Sequence, residues 1–102
     1  FLTTEDYKNY KKFRIDKHFI EDKIDRKETI TKEFLQNYIN TNPDFWLVYA
    51  NVAEYYFIQK DYSQAINYYK LALSKEITTV PDRNKIEKNL KKCLQKTSKS
   101  VN

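Results

Sequence analysis

WLVYANVAEYYFIQKDYSQAINYYKLALSKEITT, residues 46–79, is the stretch whose reading decides the fold. In its first half Tyr49, Val52, Ala53, Tyr56 and Phe57 recur at intervals of three and four, which gathers apolar groups on one face of a helix. After Gln59 and Lys60, Asp61 offers a carboxylate to the free amides of a following helix, and Gln64 three places on completes a capping box. A second helix therefore begins near Tyr62, with Tyr62, Ala65, Ile66, Tyr69, Ala72 and Leu73 on one face. The small alanines leave room for a neighbouring backbone to approach closely. So short a connection forces the two helices antiparallel, and together they form one helix-turn-helix unit of about 34 residues.

Counted from Trp46, these residues resemble the tetratricopeptide repeat family. The family pattern has a large aromatic at its fourth position, a large apolar residue at the seventh and a small one at the eighth, matched by Tyr49, Val52 and Ala53. Tyr56, Ala65, Tyr69 and Ala72 match its eleventh, twentieth, twenty-fourth and twenty-seventh positions, and DYSQAINYYKLAL is close to the consensus throughout. Lys60 stands where the tight turn usually has Gly, and Ile77 where the family usually has Pro. A lysine held in the left-handed region costs about 1 kcal/mol, so the turn is expected to form at that expense.

The chain's 102 residues make one domain, long enough to bury roughly 65% of its unfolded surface. It has no glycine, which argues against phosphate-cradling loops and dinucleotide fingerprints, and no cofactor is expected. A single cysteine, Cys93, permits neither an internal disulfide nor a cysteine-based zinc cage. No apolar run approaches a membrane span, and no cleavable leader is recognisable. Because the chain opens on Phe1 rather than Met, it is expected to be a piece of something longer; its compartment and oligomeric state stay open.

Working outward, Thr3 or Thr4 followed by Glu5 and Asp6 marks a helix start. A helix over 4–24 follows, with Tyr10, Phe13, Ile20 and Ile24 as one stripe and Ile15 and Phe19 as another, so it is expected to pack against two neighbours. Ile30, Phe34, Leu35, Tyr38 and Ile39 predict a second helix over 29–41. Asn42 is expected to cap a third helix, over 43–58, with Pro43 at its first position. Further helices are expected over 62–76 and 82–96, the last with Ile86, Leu90, Cys93 and Leu94 on its apolar side.

The fold class is thus all-α: antiparallel helix hairpins stacked as a short tetratricopeptide-like α-solenoid of about five helices. Residues 4–42 read as a degenerate helix pair, because Phe19, Thr31 and Tyr38 occupy positions where the family has Gly or Ala, and an unrelated N-terminal hairpin is the alternative. Residues 43–79 hold the repeat, 80–97 a C-terminal solvating helix, and 98–102 a frayed tail.

Residues 82–102 hold seven Lys or Arg against two Asp or Glu, while residues 1–81 hold twelve of each, so all of the net charge of +5 lies in the last helix and tail. Lys85, Lys88, Lys92, Lys96 and Lys99 form a stripe there. With no interleaved aromatics and one arginine, Arg83, the stripe reads as a solvated outer face, and no specific nucleic-acid binding is expected. His18 with Asp22 and nearby Glu21 gives no recognisable general-base pair or metal site. Cys93 reads as a small core hydrophobe, and most of the nine tyrosines and six phenylalanines fall on helix-packing positions.

The family resemblance implies a protein or peptide partner and a groove lined by Leu47, Ala50, Asn51, Glu54, Phe57 and Ile58. Asn51 matches the asparagine of the family's carboxylate clamp, and Lys85 takes the sixth position of the following helix. Leu47 and Ala50 replace the clamp's basic residues, so a partner's terminal carboxylate is not the expected ligand. Four of the six groove residues are apolar, and the groove is expected to be covered, either by the N-terminal helix through Phe13, Ile20 and Ile24 or by another protein surface. Two functions follow: an interaction module without catalytic activity of its own, or a structural C-terminal appendage of a parent enzyme. For the second, residues 42–82, with NPDFW leading in and EITTVPD leading out, are similar to the helical tails of bacterial N-terminal-nucleophile hydrolases resembling penicillin acyltransferases. That resemblance implies an upstream domain of the same chain as the partner.

Overall fold

The computed structural model describes residues 4–77 and 79–101, with the side chains of residues 8–77 and 79–97. Five helices carry the regular structure: α1 (Thr4–Arg26), α2 (Lys32–Thr41), α3 (Trp46–Ile58), α4 (Tyr62–Leu73) and α5 (Val80–Val101). No strand occurs among the described residues. The expected cap at Thr3 or Thr4 and the acids Glu5 and Asp6 lie outside the described side chains, as do Lys99 and the rest of the tail from residue 98.

The α3–α4 pair closes as the alanines require. Ala53, Ala65 and Ala72 are all completely buried. At one end Phe57 meets Tyr62 edge-on at 5.8 Å, and at the other the Lys75 ammonium sits 5.3 Å over the Tyr49 ring, which fixes the antiparallel sense. Asp61 caps α4 by accepting from the Gln64 amide at 3.3 Å. Lys60 takes the left-handed conformation expected of it, with φ 63°. A second lysine, Lys27, does the same at the end of α1 with φ 56°, a strain that nothing in the sequence announced.

The expectation of a one-sided α3 needs correction. Val48, Tyr49, Asn51, Val52, Ala53 and Tyr55 are all buried, so the helix is enclosed around most of its circumference and serves as the central element. Helices α1, α2 and α4 all pack against it, and Tyr55 adds a polar tie. Its hydroxyl accepts from the Ile30 amide at 2.9 Å and donates to the Ile30 carbonyl at 3.3 Å, while Gln59 donates to the Glu28 carbonyl at 3.3 Å. These bonds tie the α1–α2 connection to the C-terminal end of α3.

Helix α1 touches two neighbours, α2 and α3. Its Phe13 and Ile20 are buried, and Phe13 stacks on Tyr38 at 5.7 Å and meets Phe45 at 5.8 Å. The other stripe stays open: Ile15 is 61% exposed and Phe19 43%, although Phe19 lies 4.5 Å from Phe34. Helix α2 starts at Lys32 rather than 29, because Thr31 is its cap, accepting from the Phe34 amide at 3.1 Å.

The start of α3 also differs from the sequence expectation. Asn42 caps the end of α2, not the start of α3, and accepts from the Phe45 amide at 3.0 Å across a turn in which Pro43 takes the second place. Phe45 precedes α3 without a side-chain cap, and the Tyr49 hydroxyl donates to the Pro43 carbonyl at 2.5 Å. Helix α4 stops at Leu73, with Ser74 as cap, short of residue 76. Helix α5 starts at Val80, so Pro81 falls in the first turn, where its missing amide is tolerated. It runs on to Val101. The molecule measures 53 × 30 × 19 Å with a radius of gyration of 14.3 Å, somewhat longer than the roughly 13 Å sphere-like value for this length.

Candidate binding groove between the third and fifth helices

Helix α5 packs on α4 through Ile86, fully buried Cys93, and Lys96, whose ammonium lies 5.5 Å over the Tyr62 ring. A 13-residue α3 and a 22-residue α5 both flank the 12-residue α4. Between α3 and α5 this leaves a groove of about 130 Å³. Trp46, Leu47, Ala50, Asn51 and Glu54 form the α3 wall, buried Tyr69 of α4 contributes from below, and Asp82, Lys85, Ile86 and Asn89 form the α5 wall.

Five residues expected to line a groove therefore come together here: Leu47, Ala50, Asn51, Glu54 and Lys85. Phe57 and Ile58 do not. They lie one turn further along α3, where Phe57 packs on Tyr62, and both are partly buried outside the groove. No residue of α1 lines it either. The expected cover through Phe13, Ile20 and Ile24 is therefore not found over this groove, Phe13 being turned to Tyr38 and Phe45, although α1 does pack on α3 elsewhere. Sequence reasoning missed Trp46, Tyr69, Asp82, Ile86 and Asn89. Of these, Trp46 is one helical turn before Ala50, and Asp82 and Asn89 flank Lys85 at three and four residues, spacings that could have found them.

The polar groups are unevenly satisfied. Asn51 is only 8% exposed, and its Nδ2 donates to the hydroxyl of completely buried Tyr38 at 2.6 Å. Burial pushes the Tyr38 hydroxyl well above the ordinary tyrosine range, against the opposing pull of the Asn51 hydrogen bond. The Asn51 Oδ1 accepts no hydrogen bond from any described residue. Among the described residues no fully enclosed side-chain polar atom lacks a partner, so that oxygen keeps some surface open to solvent in a residue that lines the groove. Tyr69 is likewise raised, first by burial, then by Glu54 and Cys93, with Asn89 opposing.

Glu54 has the most unusual setting. Although the residue as a whole is open to solvent, loss of hydration raises its carboxyl above the ordinary range; Lys85 lowers it, and Glu21 and Asp25 of α1 raise it again. Among the described residues the carboxylate has no hydrogen bond and no ion pair within 4.0 Å. Asp82, by contrast, is engaged by the Thr79 hydroxyl.

Elsewhere the chemistry is ordinary. His18 is exposed, with Nδ1 3.8 Å from Glu21, and Asp22 pairs with Arg26 at 3.3 Å instead of with the histidine. Cys93 packs as a small hydrophobe, and burial raises its thiol, with Lys96 opposing. Lys85, Lys88, Lys92 and Lys96 are all exposed on α5. Among the described residues no three His, Cys, Asp or Glu side chains converge closely enough to hold a metal ion, and no helix is long and apolar enough to cross a membrane. Comparison of this chain with protein families, curated proteins and solved structures finds no match.

Proposed function

We propose that this chain is a tetratricopeptide-like protein–protein interaction module that binds a partner segment in the α3–α5 groove and contributes no catalytic residue of its own. The observation that carries the reading is the groove itself, where an apolar strip of Trp46, Leu47 and Ala50 runs beside the open Asn51 Oδ1 and the unpaired Glu54 carboxylate. Apolar area supplies affinity and the few polar groups fix register, the division of labour of a peptide site. The stacking of α1–α2, α3–α4 and α5 is read here as a short solenoid, whose inner faces line such grooves.

The test is selection of extended nonapeptides from a displayed random library on the immobilised chain. Selected peptides are expected to lose binding to Leu47→Asp, whose melting temperature should fall but leave the chain folded, since Leu47 is only partly buried against the core. Peptides that bind Leu47→Asp unchanged would place recognition elsewhere. The appendage reading is favoured by a different observation, the exposed Tyr10, Ile15 and Phe19 on α1, which an upstream domain of the same chain would cover. Under that reading the library yields no groove-directed peptide.

A further inference from the structure

The groove's electrostatics narrow its partner, an inference that rests on the binding reading above. In a chain of net charge +5, the groove is a local exception. Its lining carries Glu54 and Asp82 against Lys85 alone, and Glu21 and Asp25 of α1 act on Glu54 from outside the lining. Glu21 is partly neutralised by Lys17 at 3.3 Å, but Asp25, like Glu54, has no ion pair among the described residues. The Glu54 carboxylate lines the groove with no partner of its own, so an incoming cation can give it a charge-assisted hydrogen bond without breaking an existing pair. These acids do not converge as a metal cage. The apolar strip and the Asn51 Oδ1 beside them suit a polypeptide, whose backbone amide can donate to that oxygen.

We propose that the groove takes a partner segment that presents a lysine or arginine side chain to the Glu54 carboxylate, with the residues before it on Trp46, Leu47 and Ala50. The charge preference is opposite to that of a groove built to hold a terminal carboxylate. Lys85, across the groove, acts as the competitor that an incoming cation must displace or avoid.

The experiment is an amide-shift NMR titration of the full chain with three acetylated, amidated nonapeptides, alanine- and leucine-flanked and identical except for a central Arg, Gln or Glu. The arginine peptide should shift the amides of Ala50, Asn51, Glu54 and Lys85 saturably, and bind roughly tenfold more tightly than the glutamine peptide, the size of one charged hydrogen bond. Glu54→Gln should remove that preference, whereas Lys85→Gln should strengthen binding of the arginine peptide. Opposite signs at two surface positions are not what general damage to the fold would give. If the glutamine or glutamate peptide binds as well as the arginine one, the cation assignment is overturned while the groove reading stands. If none of the three shifts groove amides, both fall. Groove shifts that depend on protein concentration without peptide would mean that a second copy's lysines fill the site, which also overturns the proposal.

Discussion

The α3–α4 pair closes on alanines, whereas the α1–α2 pair closes on rings. In the first, Ala65 and Ala72 have no exposed surface, so the distance between the helices is set by backbone against side chain with no volume to spare. In the second, Phe19 lies against Phe34 and Phe13 against Tyr38, and ring thickness sets the spacing. Both hairpins turn through a left-handed lysine, Lys27 or Lys60. The comparison teaches that one helix-turn-helix plan tolerates two packing chemistries, one that cannot accept added volume and one that cannot lose it.

Four measurements break or sharpen that comparison. Phe13→Ala removes a buried ring that meets both Tyr38 and Phe45, and should lower stability by about 3 kcal/mol in urea unfolding. A loss below about 1 kcal/mol would mean that α1 is not part of the core. Ala65→Leu should overpack α3–α4 and cost about 1 to 3 kcal/mol, while Phe34→Leu at the half-buried ring contact of α1–α2 should cost less than about 1.5 kcal/mol. Equal costs would erase the distinction.

The third measurement is stability against pH. Tyr38 and Tyr69, one on each hairpin, hold their protons above the pH of about 10 at which the unfolded chain releases them. The unfolded state therefore binds fewer protons above that point, so stability should be full below about pH 10 and fall as pH rises further. Tyr69→Phe and Tyr38→Phe should each flatten the fall, and an unchanged slope in either would contradict the burial of that hydroxyl. The smallest effects are expected at the turns. Lys60→Gly and Lys27→Gly should each raise stability by up to about 1 kcal/mol, and similar gains would show that the two turns carry the same strain.

How much of this was legible in the sequence follows the same division. Alanine spacing, the Asp61 cap and the Lys60 turn are local signals, and they located α3 and α4 closely. Cys93, on an apolar stripe, was placed in the core correctly. The long-range ties were not legible. Nothing near Tyr55 says that its hydroxyl will hold Ile30, or that α1, α2 and α4 will all pack against α3 and make it central rather than one-sided. Asn42 and Pro43 are ambiguous in isolation, since the same pair serves a helix start or a turn. Part of the groove could be read because Leu47, Ala50, Asn51 and Glu54 are one helix face. Its α5 wall could not be read in full, because it depends on how α5 crosses α4.

The central claim is that the α3–α5 face is open in solution. Thiol labelling of Ala50→Cys tests it directly, because the parent's one cysteine, Cys93, is fully buried and supplies an internal reference. Under native conditions the new thiol, at a half-buried position that lines the groove, should react many times faster than Cys93, which reacts only as the chain unfolds. If the thiol at position 50 were as protected as Cys93, the groove would be closed, and the account of it as a binding face would be contradicted.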